Sequence, residues 1–244
     1  MPETLLMWME ASFDTIYLIV IWGLVLLMYR GRSDVRPEDR RVANLTMIAF
    51  ALLALGDTGH VGFRVLAYAK GDLTAQFSFL GIQFGLLGLG TLATAITVTL
   101  FYVLMLAIWR ARFNKKYGPL QYLLLAAALV RLLMMALPAN EWSSLVPPQP
   151  WSTVRNLPLL IQGLGVAYLF LRDARAKKDR TFWWIAIMIL ISYACYFAVI
   201  LFVEQVPLIG MLMIPKTIAY IVICLLAYNE LFRVPAVSPG PADA

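Results

Sequence analysis

What constrains this chain most is the spacing of its charges, which leaves seven long stretches almost free of them. These run over residues 13–29, 43–68, 77–109, 119–137, 156–171, 182–203 and 207–228. About 20 apolar residues carry an α-helix across the hydrocarbon of a bilayer, and repeated runs of that length mark a polytopic helical membrane protein. A membrane β-barrel would alternate apolar and polar residues at every second position, and these runs do not. With 61% of residues apolar and a mean hydropathy of +0.78, a single water-soluble domain is excluded as well. The sequence therefore predicts an all-α bundle of seven transmembrane helices in one domain, residues 1–232. The proline-rich segment 233–244 is too poor in apolar area to fold and is expected to be a disordered tail. The third run is the longest, and as one helix it must tilt or project beyond the membrane.

Lys and Arg collect in alternate connections. Fifteen of the 20 fall after the first, third, fifth and seventh runs, while only Lys70 and Arg155 fall in the others. Cytoplasmic loops carry the excess of Lys and Arg, so the N-terminus is expected outside and the C-terminus in the cytoplasm, in a cytoplasmic (inner) membrane. The same placement accounts for the net charge of +6 without a nucleic-acid partner. The first run is preceded by Glu3 and Glu10 and holds Asp14; no basic segment stands before it as in a cleavable signal peptide. Cys195 and Cys224 lie within apolar runs, which argues against a structural disulfide. Trp8, Trp109, Tyr117, Trp142, Trp151, Trp183 and Trp184 fall near run ends, where amphipathic rings favour the headgroup region.

The second run is interrupted by Gly56-Asp57-Thr58-Gly59-His60-Val61-Gly62-Phe63-Arg64, which holds the sole histidine of the chain. On a helix Asp57, His60 and Arg64 share one face. Ionisable groups inside membrane helices cost roughly 2.5–3.5 kcal/mol on insertion scales, so they face protein or water and mark function. Given the alternating direction of the runs, Asp57, His60, Arg64, Gln83, Arg131 and Glu204 belong to the outer half of the bundle. Gln162 and Lys216 lie near the midplane, with Tyr220 one turn beyond Lys216. These nine residues are the candidate ligand-binding set. With His60 neutral, the charges of Arg64, Arg131 and Lys216 exceed those of Asp57 and Glu204 by one, or by two with Arg155 at the mouth. Buried charge must be neutralised, either by deprotonation of Lys216 or by an anion; a small anionic ligand or a lipid headgroup is the expected partner besides the bilayer.

Several local features follow. Gly56, Gly59 and Gly62, with Gly81, Gly85 and Gly88, point to close packing of spans two and three. Pro215 predicts a kink before Lys216. Met211, Leu212 and Met213 form an adaptable apolar wall. Prolines 147, 148 and 150 exclude regular helix in the connection 138–151, which lies either on the headgroups or as a lid over the cavity.

The residues bear on three further function classes: hydrolase, rhodopsin and transporter. A metal-free lipid hydrolase would use Asp57 and His60 as acid and base, but no nucleophile motif accompanies them. Seven-span zinc hydrolases bind metal through three histidines, and with one histidine no metal or cofactor is expected. Seven spans, an external N-terminus and Lys216 in the last span together resemble the outline of a rhodopsin, which implies retinal on Lys216 as a Schiff base. That resemblance stops at the motifs. Leu212 stands where microbial rhodopsins carry an aspartate, and the third span has no acid. A transporter needs polar groups through both halves of the bundle, whereas the inner halves are nearly bare. A one-sided, receptor-like or accessory binding protein is the primary expectation.

Overall fold

A computed structural model describes residues 3–72, 74–79, 82–144, 148–203 and 205–233. The chain forms α1 (Glu3–Gly31), α2 (Arg40–Ala69), α3 (Leu86–Phe113), α4 (Pro119–Met135), a one-turn α5 (Trp151–Val154), α6 (Leu157–Lys177), α7 (Arg180–Phe202) and α8 (Met213–Leu231). A hairpin of β1 (Gln76–Phe79) and β2 (Ile82–Gly85) separates α2 from α3. Among the described residues six segments are long and apolar enough to cross a membrane: Ser12–Gly31, Arg40–Ala69, Leu86–Phe113, Trp151–Lys177, Arg180–Phe202 and Pro207–Leu231. This is the architecture of a multi-pass membrane protein. Helix α4, at 17 residues, is apolar but shorter.

Local chemistry sets the helix ends. Asp179 accepts a bond from the Phe182 amide at 3.1 Å and caps α7. Pro119 and Pro158 occupy first-turn positions of α4 and α6, where a missing N–H costs nothing. Asn114 and Lys178 close α3 and α6 in the left-handed conformation (φ 50° and 56°).

Three expectations are corrected. The third run is not one helix: residues 76–79 and 82–85 are strands, and helix begins only at Leu86. Gln76-Phe77-Ser78-Phe79 alternates with period two, and aromatic residues suit a pleated strand. A 33-residue helix would extend about 50 Å, well beyond the roughly 30 Å of hydrocarbon. Gln83 consequently lies on β2, paired with Ser78, and not two turns down a helix. Second, Pro215 makes no mid-helix kink. Residues Pro207–Leu212 form a 3-10 turn, and Pro215 falls in the first turn of α8. Third, Trp109 is no interfacial anchor: it is buried in the core and donates to Asp173 Oδ2 at 2.8 Å.

The core runs the length of the bundle around Phe50, Phe101, Tyr102, Phe170 and Phe182. Helices α2 and α3 form the most intimate pair. A Cβ on Gly56 would collide with the Thr97 hydroxyl, and one on Gly90 would stand 2.9 Å from the His60 Cα. Small residues permit that approach, and α2 stays helical throughout the glycine-rich stretch. Gly88 serves a different contact, its absent Cβ leaving room for the Trp142 carbonyl.

Ion pairs place the helix ends. Arg112 at the end of α3 donates to Asp179 before α7 (2.9 Å), Asp39 before α2 (3.0 Å) and Glu230 at the end of α8 (2.8 Å). The starts of α2 and α7 therefore share one end of the bundle with the ends of α3 and α8. This basic end also holds the arginines and lysines of the connections after α1, α3 and α6.

Candidate functional site

At the opposite end the bundle encloses a cavity of about 600 Å³. Its walls come from the first half of α1, the second half of α2, the start of α3, the end of α4, residues 155–159, the end of α7 and the start of α8. Asp57, His60, Arg64, Arg131, Lys216 and Tyr220 all line it. The helical periodicity of α2 puts the first three on one strip, and the antiparallel packing brings the others to the same level.

The remaining three candidates are placed differently. Gln162 is buried but faces α3, its Nε2 donating to the Thr99 carbonyl at 3.4 Å, and it does not line the cavity. Gln83 lies on the hairpin. Glu204 falls outside the described residues, as do 145–147 and the segment from 234 onward.

Asp57 is held from two neighbouring helices. Tyr17 donates to its Oδ2 at 2.6 Å, and Thr94 donates to its Oδ1 at 3.4 Å and to the Gly56 carbonyl at 3.1 Å. The Arg64 Nη2 lies 3.1 Å from His60 Nε2, one turn away on α2. An arginine N–H can only donate, so Nε2 is the acceptor and the ring proton sits on Nδ1, which is buried and makes no well-formed hydrogen bond among the described residues. Asp57 and His60 are not bonded to one another. The arrangement is two separately tethered groups and lacks the linked acid–base geometry of a dyad.

The cations on the far wall are held by neutral groups. Arg131 is 2% exposed. It donates to the Ala95 carbonyl (3.0 Å), the Thr99 hydroxyl and Asn156 Oδ1 (3.0 Å), and its Nε is left without a partner. Arg155 donates to Asn140 Oδ1 at 3.0 Å and lies over the Trp142 ring, 4.6 Å from its centre. The Lys216 ammonium stands 5.1 Å and 5.9 Å from the centres of the Tyr196 and Tyr220 rings. Among the described residues no carboxylate oxygen comes within 4.0 Å of Arg131, Arg155 or Lys216. The lining carboxylates are Asp14 and Asp57, and the lining cations are Arg64, Arg131, Arg155 and Lys216. The described lining therefore carries a surplus of two positive charges with His60 neutral.

Several contributors escape a reading of the sequence. Asp14 and Tyr17 stand one turn apart on α1, and their polar spacing in an apolar run is the signal that could have marked them. Asn140, Asn156 and Thr94 carry no such signal, since polar residues near helix ends are ordinary. Within the connection 138–151, residues 138–144 and 148–151 fold against the cavity end. Asn140 donates to the carbonyls of Met134 and Leu137 at 2.7 Å, Trp142 to that of Met135 at 3.1 Å, and Trp151 to Asn140 at 3.2 Å. Trp142 itself lines the cavity. No group of three metal-ligating side chains gathers among the described residues. No protein-family model, curated protein or solved structure matches the chain.

Proposed function

We propose that the chain is a seven-span protein of the cytoplasmic membrane, with its N-terminus outside and its C-terminus in the cytoplasm. Its cavity opens to the outside and binds a small anionic ligand or a lipid headgroup, in a receptor-like or accessory role. Helix α4 is the seventh span: its 17 residues rise about 25 Å, at the short limit for crossing a bilayer. The concentration of Lys and Arg at the end away from the cavity supports the orientation.

One observation carries the binding reading: Arg131, Arg155 and Lys216 line one cavity with no carboxylate oxygen within 4.0 Å of them among the described residues, and the lining carboxylates Asp14 and Asp57 leave a surplus of two positive charges. Desolvated charges must be paired or neutralised, and neutral hydrogen-bond acceptors orient a guanidinium without cancelling its charge. An anion entering between these groups supplies the missing charge and meets preorganised donors. The separate tethering of Asp57 and His60 favours binding over hydrolysis.

The test is a thermal-shift titration of the purified protein with carboxylates and phosphates, repeated on Arg155→Gln and Lys216→Met. Each charged hydrogen bond lost is worth about 1.5–3 kcal/mol, so the variants should bind roughly 10- to 100-fold more weakly. A response that is flat for every anion, or equal in wild type and variants, contradicts the reading. Labelling of single introduced cysteines from each side of the membrane checks the orientation.

A further inference from the structure

The shape of the cavity says more about the ligand than its charge does. A bare anion needs only a few donors, whereas a cavity of about 600 Å³ is of the size that encloses a drug-sized molecule. Its polarity is divided. Arg131, Arg155 and Lys216 come from α4, residue 155 and α8, while the 3-10 turn between α7 and α8 adds Leu208 and Met211, and Met213 opens α8. Leu208 lines the cavity and is nevertheless 68% exposed, so it stands at the opening. Met211 and Met213 are also exposed, as are Phe202 and Val206 in the segment just before them. Exposed apolar side chains at a mouth are costly facing water and favourable facing acyl chains or an alkyl ligand. Methionine, unbranched and polarisable, fits a chain of variable conformation.

We infer that the ligand is a single-chain anionic amphiphile, with a carboxylate or phosphate-monoester head between Arg131, Arg155 and Lys216 and an alkyl chain along the Leu208–Met211–Met213 wall. This rests on the anion reading above and narrows it. The head alone could come from a soluble acid or a lipid, and the chain distinguishes the two.

The experiment is calorimetric titration of the full-length protein in phosphatidylcholine nanodiscs, corrected with empty discs. The probes are inorganic phosphate, acetate, butyrate, hexanoate, octanoate and octanol. Affinity is expected to rise about fourfold for each methylene added between butyrate and octanoate, with octanol well below octanoate. Arg155→Gln should weaken every acid by a similar factor, and Met211→Ser should flatten the chain-length slope while leaving acetate unchanged. If acetate and phosphate bind as tightly as octanoate, the amphiphile falls and the anion site stands. If octanol equals octanoate and Arg155→Gln changes nothing, head recognition falls and the anion reading with it. Absence of binding by any probe overturns both.

Discussion

The ionic hub at the basic end offers the sharpest test of how the bundle holds together. Arg112 spends all three guanidinium nitrogens on three carboxylates from different parts of the chain, and its side chain is only 18% exposed. Replacing it with Gln leaves Asp39, Asp179 and Glu230 facing one another. Removing one partner of a buried ion pair costs about 3–5 kcal/mol, because the other charge is left uncompensated. Three details reduce that figure. Asp39 keeps Arg36 at 2.7 Å, and Asp179 keeps its cap on the Phe182 amide. Glu230 is also 29% exposed and partly solvated. A loss of about 2–4 kcal/mol is therefore expected for Arg112→Gln. Arg172→Gln is the control, since Arg172 is 44% exposed in its pair with Asp173, and it should cost under about 1 kcal/mol. Reversible unfolding by SDS titration in mixed micelles measures both. The double variant Arg112→Gln/Glu230→Gln should recover about 1 kcal/mol of the loss by relieving repulsion. Equal losses for Arg112→Gln and Arg172→Gln, or no recovery in the double variant, would refute the account of a shared hub.

Further outcomes follow from close contacts and from the cavity. Gly56→Ala drives a methyl into Thr97 and should destabilise by about 1–3 kcal/mol, whereas Gly62→Ala meets nothing within 4 Å and should be neutral or stabilising by up to about 1 kcal/mol. The same unfolding assay separates them. Gly88→Ala would push on the Trp142 carbonyl, so it should loosen the connection over the cavity, read as faster proteolysis within residues 138–151. Tyr17→Phe removes the 2.6 Å bond to Asp57 and should cost about 1.5–3 kcal/mol, the range for a hydrogen bond to a charged group. All-trans retinal added to the protein should produce no visible absorbance band, and the appearance of one would move Lys216 from anion binding to Schiff-base chemistry.

Asp57, His60 and Arg64 were legible in advance because helical periodicity is local: residues three and four apart share a face whatever surrounds them. Lys216 and Arg131 were legible because ionisable groups in apolar runs are costly enough to need a partner or a cavity. Gln162 obeyed the same cost argument but turned elsewhere, its Nε2 to a backbone carbonyl on α3 and its buried Oε1 to no partner among the described residues. Which neighbour a buried amide faces depends on helix rotation, and rotation is a property of packing. Trp109 shows the same limit, because a tryptophan near a run end suits the interface equally well as a core position with an acceptor.

By itself the sequence determined a polytopic helical protein, the segregation of its basic residues and the outline of a polar strip on α2. Those properties follow from transfer costs and short-range geometry, which act residue by residue. Only the tertiary structure decided that residues 76–79 and 82–85 pair as antiparallel strands, that Arg112 is a hub where its neighbours are surface charges, and that Tyr17 and Asn156 complete the cavity. Each of these depends on groups 25 or more positions apart meeting at hydrogen-bond distance, or on competition between strand pairing and a helix too long for the bilayer. Such meetings are settled by how the helices pack against one another, and linear spacing carries no record of them.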